Sequence, residues 1–585
     1  MEHTKKTKRI AILGGGPSGL FMYKRLTEAK YPDFEITIFE RKGYLGSGMP
    51  YSPEGANDEH ITNVSDNEIP VIFNSIHEWV KMAPQDTLTR FNINTENFNE
   101  YKVLPRLFFG EYLSAQFELL RHRADRQGIT THVYLNTPVI DVKDYPENGT
   151  VDIITEANGT EIFDYVIMCT GHNWPKKYEG KIPDYFDSPY PPRKLKLKIN
   201  HPVGIKGSSL TAIDAVRTLA RENGSFREAD GKYLYDLNAD SMGFGIVMHS
   251  RNGLLPAVRF HLEDSHLGKD ATLSKTEIAE HIALNGGFVS LDFVFERNFK
   301  AMFPEKDPAF YGLIKDMNLE EFVEWIMASR EQKDPFELFK LEYAEAERSI
   351  RRKESIYWKE VLAVLSFAMN YPAKYLSAED MQRLQKVLMP LISVVIAFVP
   401  QSSCRDLMAL HDAGLLEMIA VGDDSHVEPV SSGGADYIYT DELGTKQQQH
   451  FNTFIDCVGQ PHLSFADFPF RSLTDDGTVS PALLDFKSAA MGKAAIASGN
   501  ELVKQAGDGT FQLQVPGITI NDSFEVVNGN GNNNDRIYIM AVPYIGGYNP
   551  DYSGIDFCEA ASEAVITSLM NSVYAGTQLE SDSLA

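Results

Sequence analysis

Three glycines and one carboxylate near the start of the chain have the types and spacing to hold a dinucleotide. Gly14, Gly16 and Gly19 fill the glycine positions of G-x-G-x-x-G in Gly14-Gly15-Gly16-Pro17-Ser18-Gly19. Glu40 follows about 20 residues later, the interval such a unit needs. Gly14 permits the tight turn, Gly16 lets the main chain approach a pyrophosphate, and Gly19 lets helix and strand pack closely. Pro17 and Ser18 lie in the same turn, and a helix starting there aims free N–H groups and its positive dipole end at the phosphates. Glu40, with Arg41 beside it, can accept hydrogen bonds from a ribose diol.

A second, degenerate version of this pattern reads G-x-S-x-x-A at Gly207-Ser208-Ser209-Leu210-Thr211-Ala212. Serine and alanine are the smallest replacements for glycine, so Gly207, Ser208, Ser209, Leu210 and Thr211 are candidates for a second diphosphate site. The strand predicted at 245–249 ends at Ser250-Arg251 rather than at an acid. An acid there would hold a free ribose 2′-hydroxyl, whereas serine and arginine suit a 2′-phosphate through a charge-assisted contact. NADPH is therefore favoured over NADH, the alternative being a surface arginine that caps the loop.

Further candidates lie where strands end or long loops begin. The apolar run 165–171 closes on Thr170-Gly171 and the run 454–459 on Gly459. Glycine at such an end lets the backbone approach a flavin or nicotinamide. Residues 41–70 form a long irregular stretch containing Gly48 and Asn63, and a loop of that length is functional or disordered. Asn63 is assigned a polar contact near the reacting face; the alternative is an asparagine that satisfies the loop backbone. Arg106, in the first turn of a helix predicted at 104–120, is assigned to neutralise the first dinucleotide's diphosphate. Val139, heading a strand at 139–142, and Gly547, in a glycine loop after the last strand, complete the cofactor-binding set.

Composition narrows the class. With 585 residues the chain is too long for one core. No apolar run reaches membrane-spanning length, and residues 1–8 are polar and basic, unlike a signal peptide. A net charge of −26 argues against nucleic acid and anionic membranes as partners. Cys169, Cys404, Cys457 and Cys558 are far apart and form no C-x-x-C, so neither a disulfide framework, nor a zinc site, nor a redox dithiol follows. A cytoplasmic location is expected and no metal site is.

The elements that must position these residues predict an α/β fold of two Rossmann-like dinucleotide-binding domains with a mainly helical insertion. The first unit covers 1–200, the second opens at 201–262, helices fill 263–399, the second unit resumes at 400–460, and 461–585 closes the first unit and forms a tail. The insertion is read as part of the second unit. Its helices are predicted at 319–328, 335–352, 357–369 and 378–398, and the tail 576–585 is predicted to be disordered.

Several ordered segments carry a resemblance. They are the first fingerprint with Glu40, Gly46-Ser47-Gly48-Met49-Pro50-Tyr51, Asn63-Val64, Leu104-Pro105-Arg106, Thr170-Gly171-His172, Leu210 to Asp214 and Ser250 to Pro256. Together they resemble bacterial FAD/NAD(P)-binding flavoproteins with two dinucleotide domains, particularly the amino-acid N-hydroxylating monooxygenases. The resemblance implies FAD in the first unit and NADPH in the second. It implies a loop 41–70 beside the isoalloxazine ring, and oxygen transfer to the nitrogen of a small amine or amino acid through a C4a-(hydro)peroxyflavin. The partners implied are a small-molecule substrate and oxygen. An NAD(P)H-dependent oxidase or dehydrogenase without oxygen transfer is the alternative. For an anionic substrate, Arg259 and His261 are the candidate cations. The sequence departs from the family pattern at Ser209, where glycine is usual. The motif F-x-G-x-x-x-H is not evident, Phe186 to Tyr190 standing in its place.

Overall fold

The computed structural model describes residues 7–29, 31, 33–263, 273–460, 462–551 and 554–582. The chain begins with β1 (Lys8–Leu13), α1 (Pro17–Glu28) and β2 (Phe34–Phe39), followed by the long α2 (Arg106–Gln127), β3 (Thr130–Tyr134) and β4 (Tyr165–Met168). A second run gives β5 (Tyr185–Phe186), β6 (Pro202–Lys206), α3 (Leu210–Asn223) and β7 (Gly245–Ser250). After the insertion come β8 (Leu416–Ala420) and β9 (Thr453–Asp456), then β10 (Glu525–Val527), β11 (Asn533–Ile539) and α4 (Gly554–Asp582).

Two separate sheets result, as the two fingerprints require. The first has strand order β10-β11-β4-β1-β2-β3 and is parallel except for the β10–β11 edge. The second, β5-β9-β6-β7-β8, is parallel throughout. Their central strands are apolar without alternation, because sheets of this kind are covered on both faces. Ile10 pairs with Ile36 and Ile12 with Ile38, and all four are fully buried. Small antiparallel sheets hang on this frame, including the hairpin at Thr150–Thr155 and Gly159–Phe163 and a ribbon that pairs Ile61–Ser65 with Val103–Pro105.

The insertion branches from the second unit but packs mainly on the first. Its stem is zipped: Ala257 N–H donates to Val394 O (2.8 Å), Val399 N–H to Ala257 O (2.9 Å) and Arg259 N–H to Val399 O (2.9 Å). Leu291, Phe299, Phe322 and Leu362 are buried in one apolar core continuous with that of the first unit, whereas Phe336, Phe339 and Phe398 join the core of the second. Polar contacts fasten the same joint. Asp522 of the first unit accepts from Tyr371 (3.0 Å) and Tyr375 (2.9 Å), and Glu379 accepts from the main chain of Lys487 (3.0 Å) and Ser488 (2.9 Å).

Three boundaries depart from expectation for local reasons. The helix predicted at 104–120 starts only at Arg106, because Val103–Pro105 pairs as a strand, while the helical region ends at Gln127-Gly128 as the sequence indicates, Gly128 standing at φ +76°. The helix predicted at 378–398 is broken into Ala378–Arg383 and Met389–Val395 by a π-turn at Leu384–Leu388, where Pro390 has no N–H to continue the ladder. Residues 576–582 are backbone-helical within α4 rather than disordered, and 583–585 lie outside the described residues.

Because insertion and first unit share a core, they are expected to unfold together. Phe299→Ala should cost about 3–5 kcal/mol and shift one urea transition seen alike by circular dichroism and tryptophan fluorescence. An earlier transition confined to one probe would show instead that the insertion is an independent unit.

Candidate functional site

The first cradle is built by steric necessity. Gly14 sits at φ +111°, and a Cβ there would lie 2.5 Å from the Cys169 carbonyl oxygen at the end of β4. A Cβ on Gly19 would lie 2.1 Å from the Gly14 oxygen, so α1 approaches β1 only because residue 19 has no side chain. Gly16 is the N-cap of α1 without a side-chain capping bond, which leaves the first-turn N–H groups free for a ligand. Its nearest neighbour is Gly48, at 3.2 Å from a virtual Cβ, so two bare backbones meet at the mouth of the cradle. Glu40 is already oriented: Oε2 accepts from Gly15 N–H (2.7 Å) and Oε1 from Lys42 N–H (2.8 Å). Each oxygen keeps acceptor capacity for a ribose hydroxyl.

The second cradle repeats the first. Gly207, at φ +108°, would place a Cβ 2.9 Å from the Cys457 oxygen at the end of β9. Gly14 N–H donates to Phe39 O (2.8 Å), and Gly207 N–H to His249 O (2.7 Å). Cys169 N–H donates to Leu13 O and Cys457 N–H to Lys206 O, both at 2.8 Å. Ser209 caps α3 without a side-chain bond, as Gly16 caps α1. Ser208 Oγ turns away to Leu254 O (2.8 Å). Ser250 ends β7 and Arg251 follows it, and the Arg251 side chain is 64% exposed with Asp423 at 3.7 Å, so it is open to a ligand from solvent.

A cavity of about 1070 Å³ opens from the first cradle. Gly14, Gly16, Pro17, Ser18, Glu40 and Arg41 line one part of it. Gly48, Asn63, Val139, Thr170, Gly171 and Leu210 line it too. Its volume stands at the upper end of small-molecule sites, as a dinucleotide plus a substrate would need. The free helix N-terminus, the glycine-on-glycine approach and the preset acid fit FAD. The remaining second-unit candidates lie outside this cavity, Thr211 beside the Tyr190 hydroxyl and Gly459 in open space.

Four assignments need correction. Arg106 does not face the cavity; its Nη1 is paired with the buried Asp214 of α3 at 2.5 Å and its Nε donates to Ile61 O (3.1 Å). Tyr190 also donates to Asp214 (3.2 Å), and fully buried His60 reaches Thr218 Oγ1 (3.1 Å) and Asp214 O (3.2 Å). Burial lowers the His60 pKa. These residues form a seam that fixes α3 against the first unit. Gly547 packs on the strand Phe511–Ile518, a virtual Cβ meeting Pro516 O at 2.3 Å, and does not return to the cavity. His261 lies against Tyr101, ring centres 5.1 Å apart, also outside it. Arg259 reaches the cavity wall, but its guanidinium is held by Glu68, by Ser65 Oγ (2.9 Å) and by the main-chain oxygen of Asn63. The Asn63 side chain stays exposed to the cavity.

Two carboxyls went unread in the sequence. Asp551 and Asp556 both line the cavity. Burial pushes Asp551 up to about 6, although Ser366 of the insertion donates to it. Burial and the nearby Glu68 charge push Asp556 up to about 7. The insertion contributes Ala363, Phe367, Ile392 and Ile396 to the same lining, an apolar surface. Among the described residues no cluster suited to a metal ion is present, and no helix is long and apolar enough to cross a membrane.

Residues 11–173 match the family described as FAD-NAD(P)-binding, and residues 274–396 match the YdhS-like middle domain. The uncharacterized protein YdhS of Escherichia coli (strain K12) is 31% identical over 477 residues, which span 80% of this chain and 86% of that protein. The chain belongs to the YdhS family. Flavin-containing monooxygenase 5 of Cavia porcellus is 27% identical over 172 residues, 28% of each chain. Among solved structures, L-lysine 6-monooxygenase from Pseudomonas syringae aligns over 97% of this chain and 100% of its own, with 13% identity and a TM-score of 0.46. In the YdhS family member described here, the FAD-NAD(P)-binding segment contains the whole first cradle from Gly14 to Gly171, and the middle domain supplies the apolar wall.

Three variants separate cradle from seam. Gly16→Val presses methyl groups on Gly48 and into the cavity, so the folded protein should lose its FAD; wild-type flavin content would contradict the assignment. Arg106→Ala leaves Asp214 buried and unpaired and should cost about 3–5 kcal/mol, while Arg106→Met with Asp214→Leu should recover most of that stability and keep the flavin-to-protein ratio. A lost flavin in that stable double variant would restore Arg106 as a diphosphate ligand.

Proposed function

We propose that this protein is an FAD-dependent, NADPH-consuming monooxygenase that hydroxylates the nitrogen of a small amine or amino acid. The single observation that carries this reading is the cavity, whose lining includes the first cradle, two carboxyls of raised proton affinity and apolar side chains of the insertion. The flavin-containing monooxygenase among the relatives agrees with it. The overall reaction consumes the amine, O₂, NADPH and a proton and yields the hydroxylamine, NADP⁺ and water. When bound, FAD supplies the redox chemistry, taking a hydride from NADPH and passing the electrons to oxygen.

The chain's own residues do the rest. The N-terminus of α1 and Glu40 hold the dinucleotide at diphosphate and ribose. Gly207, Ser209 and the N-terminus of α3 offer the same to NADPH, and Ser250 with Arg251 reads its 2′-phosphate. Asp551 and Asp556 receive the ammonium group of the substrate. A carboxylate of raised proton affinity can accept the ammonium proton at its Oδ, leaving the nitrogen lone pair for oxygen. Arg259 is already neutralised by Glu68 and is not available to an anionic group. Phe367, Ile392 and Ile396 exclude water from the reacting centre.

Oxygen uptake driven by NADPH tests the reading: a cognate amine should raise it and appear as hydroxylamine. NADPH oxidation that is indifferent to every amine, with the electrons ending as hydrogen peroxide, would favour the oxidase alternative. The pH dependence has a definite sign. Folded-state pKa values of about 6 for Asp551 and about 7 for Asp556 mean that both carboxyls ionise as pH rises through that window. An alkylamine stays protonated to about pH 10, so its affinity should increase several-fold from pH 5.5 to 8. Asp551→Asn and Asp556→Asn should flatten that rise, and a profile unchanged in both would remove them from the substrate site.

Arg251→Ala should weaken NADPH about tenfold, the loss of one charge-assisted contact, and leave NADH nearly unchanged. Equal losses with both nucleotides, measured on flavin-loaded protein, would make Arg251 a loop residue only.

A further inference from the structure

The helix Ala489–Ala497 reads Ala-Ala-Met-Gly-Lys-Ala-Ala-Ile-Ala, apolar all round but for Lys493, yet most of it faces water. Gly492 is its one buried residue, pressed on the strand Phe511–Ile518 so closely that a Cβ there would lie 2.3 Å from the Phe511 Cβ. Ala495 is half-buried, and the other seven residues are exposed. Met491 is 55% exposed and Ile496 42%. Leu502, just beyond the helix, is 55% exposed, and Leu284 of the insertion 88%. The platform is fastened in place. Ser488 Oγ accepts from Met491 N–H (3.3 Å), and Lys487 Nζ donates to Oδ1 of Asn285, the residue after Leu284 (2.8 Å). A helix apolar all round belongs in an interior, and clustered apolar surface left in water marks a docking site.

The charges around this face select its occupant. Between residues 485 and 508 stand three lysines, Lys487, Lys493 and Lys504, and three acids, Asp485, Glu501 and Asp508, all exposed. This segment is neutral, although the chain as a whole carries −26. An anionic membrane calls for a basic margin. A basic protein calls for an acidic margin and an acidic protein for a basic one. Equal numbers of both signs, interspersed, suit a surface that meets itself: across a twofold axis the lysines of one copy can face the acids of the other, and the reverse. Two strongly acidic chains repel each other over most of their surface, and this neutral patch escapes that repulsion where the apolar side chains gather.

We propose that the face built on Ala489–Ala497 docks on the same face of a second copy of this chain, making the protein a twofold dimer. Met491, Ile496 and Leu502 of each copy are buried against the other, and the mixed charges form the rim. The interface is isologous, so it closes at two copies and leaves no further apolar face of this kind to extend the assembly. The pairing is independent of the reaction assigned to the cavity.

Sedimentation velocity of the FAD-loaded full chain tests this, with Tm and flavin content reading the fold. Interfaces of standard size hold at micromolar concentration or below, so wild type should sediment as a dimer at about 10 µM. Met491→Glu with Ile496→Glu should be monomeric there, with Tm and flavin content unchanged because both side chains are exposed. Lys493→Glu with Lys504→Glu makes the rim acidic on both copies, and Asp485→Lys with Glu501→Lys makes it basic. Each should weaken its own pairing about tenfold or more. An equal mixture of the two should recover pairs that contain one chain of each, weighed by native mass spectrometry. The proposal is overturned if wild type is monomeric at that concentration, which would leave the face to another protein or a membrane. It is overturned as well if Met491→Glu with Ile496→Glu stays dimeric, or if the acidic-rim and basic-rim variants fail to pair when mixed.

Discussion

Close approach of bare backbone governs this molecule. At Gly14 and again at Gly207 the chain turns from strand to helix against a carbonyl oxygen of a neighbouring strand's end, with no room for a Cβ. That contact draws the N-terminus of each helix over the carboxyl edge of its sheet. Free N–H groups, helix dipole and reachable main chain then coincide at one point, which is what a diphosphate requires. The sheet order, the acid at Glu40 and the place of the cavity all follow from where that turn must sit.

The two copies of the device are not equivalent, and the differences suit different occupants. The first has glycine at position 16, a carboxylate preset by two backbone donors and a cavity walled in part by the insertion. Those features fit a resident cofactor. The second has Ser209 in place of glycine and the exposed Arg251 at its rim. Those features fit a nucleotide that comes and goes. The buried Arg106–Asp214 pair holds α3 to the first unit, so the two sites keep a set relation. Removing one partner of such a pair costs far more than the pair contributes against an apolar substitute. Its value lies in the geometry it specifies.

The sequence revealed what depends on local pattern. Glycine spacing, the acid after the second strand and the apolar strands ending in glycine located both cradles and both sheets. It misplaced what depends on long-range partners. Arg106 stands beside the right loop, but only the fold brings Asp214, 108 residues later, within its reach. Arg259 looked like a free cation because nothing local shows that Glu68 neutralises it. Gly547 serves packing on a distant strand, a reason invisible in its own neighbourhood. Asp551 precedes α4 and Asp556 sits in its first turn, where carboxylates look like ordinary solvated charges; their raised proton affinity comes from burial, with the Glu68 charge adding to it at Asp556. The insertion's helices were legible from periodicity, but the unit they pack against was not, because apolar faces do not name their partners.

The most direct measurement is a single turnover of FAD-loaded protein with NADPH, an alkylamine and ¹⁸O₂, followed by mass spectrometry of the amine. If the cavity does what its carboxyls and apolar wall are built for, the amine gains one oxygen-18 atom for each NADPH oxidised. An unchanged amine with hydrogen peroxide formed in proportion to the NADPH consumed would contradict nitrogen hydroxylation and leave the cavity as the site of an oxidase.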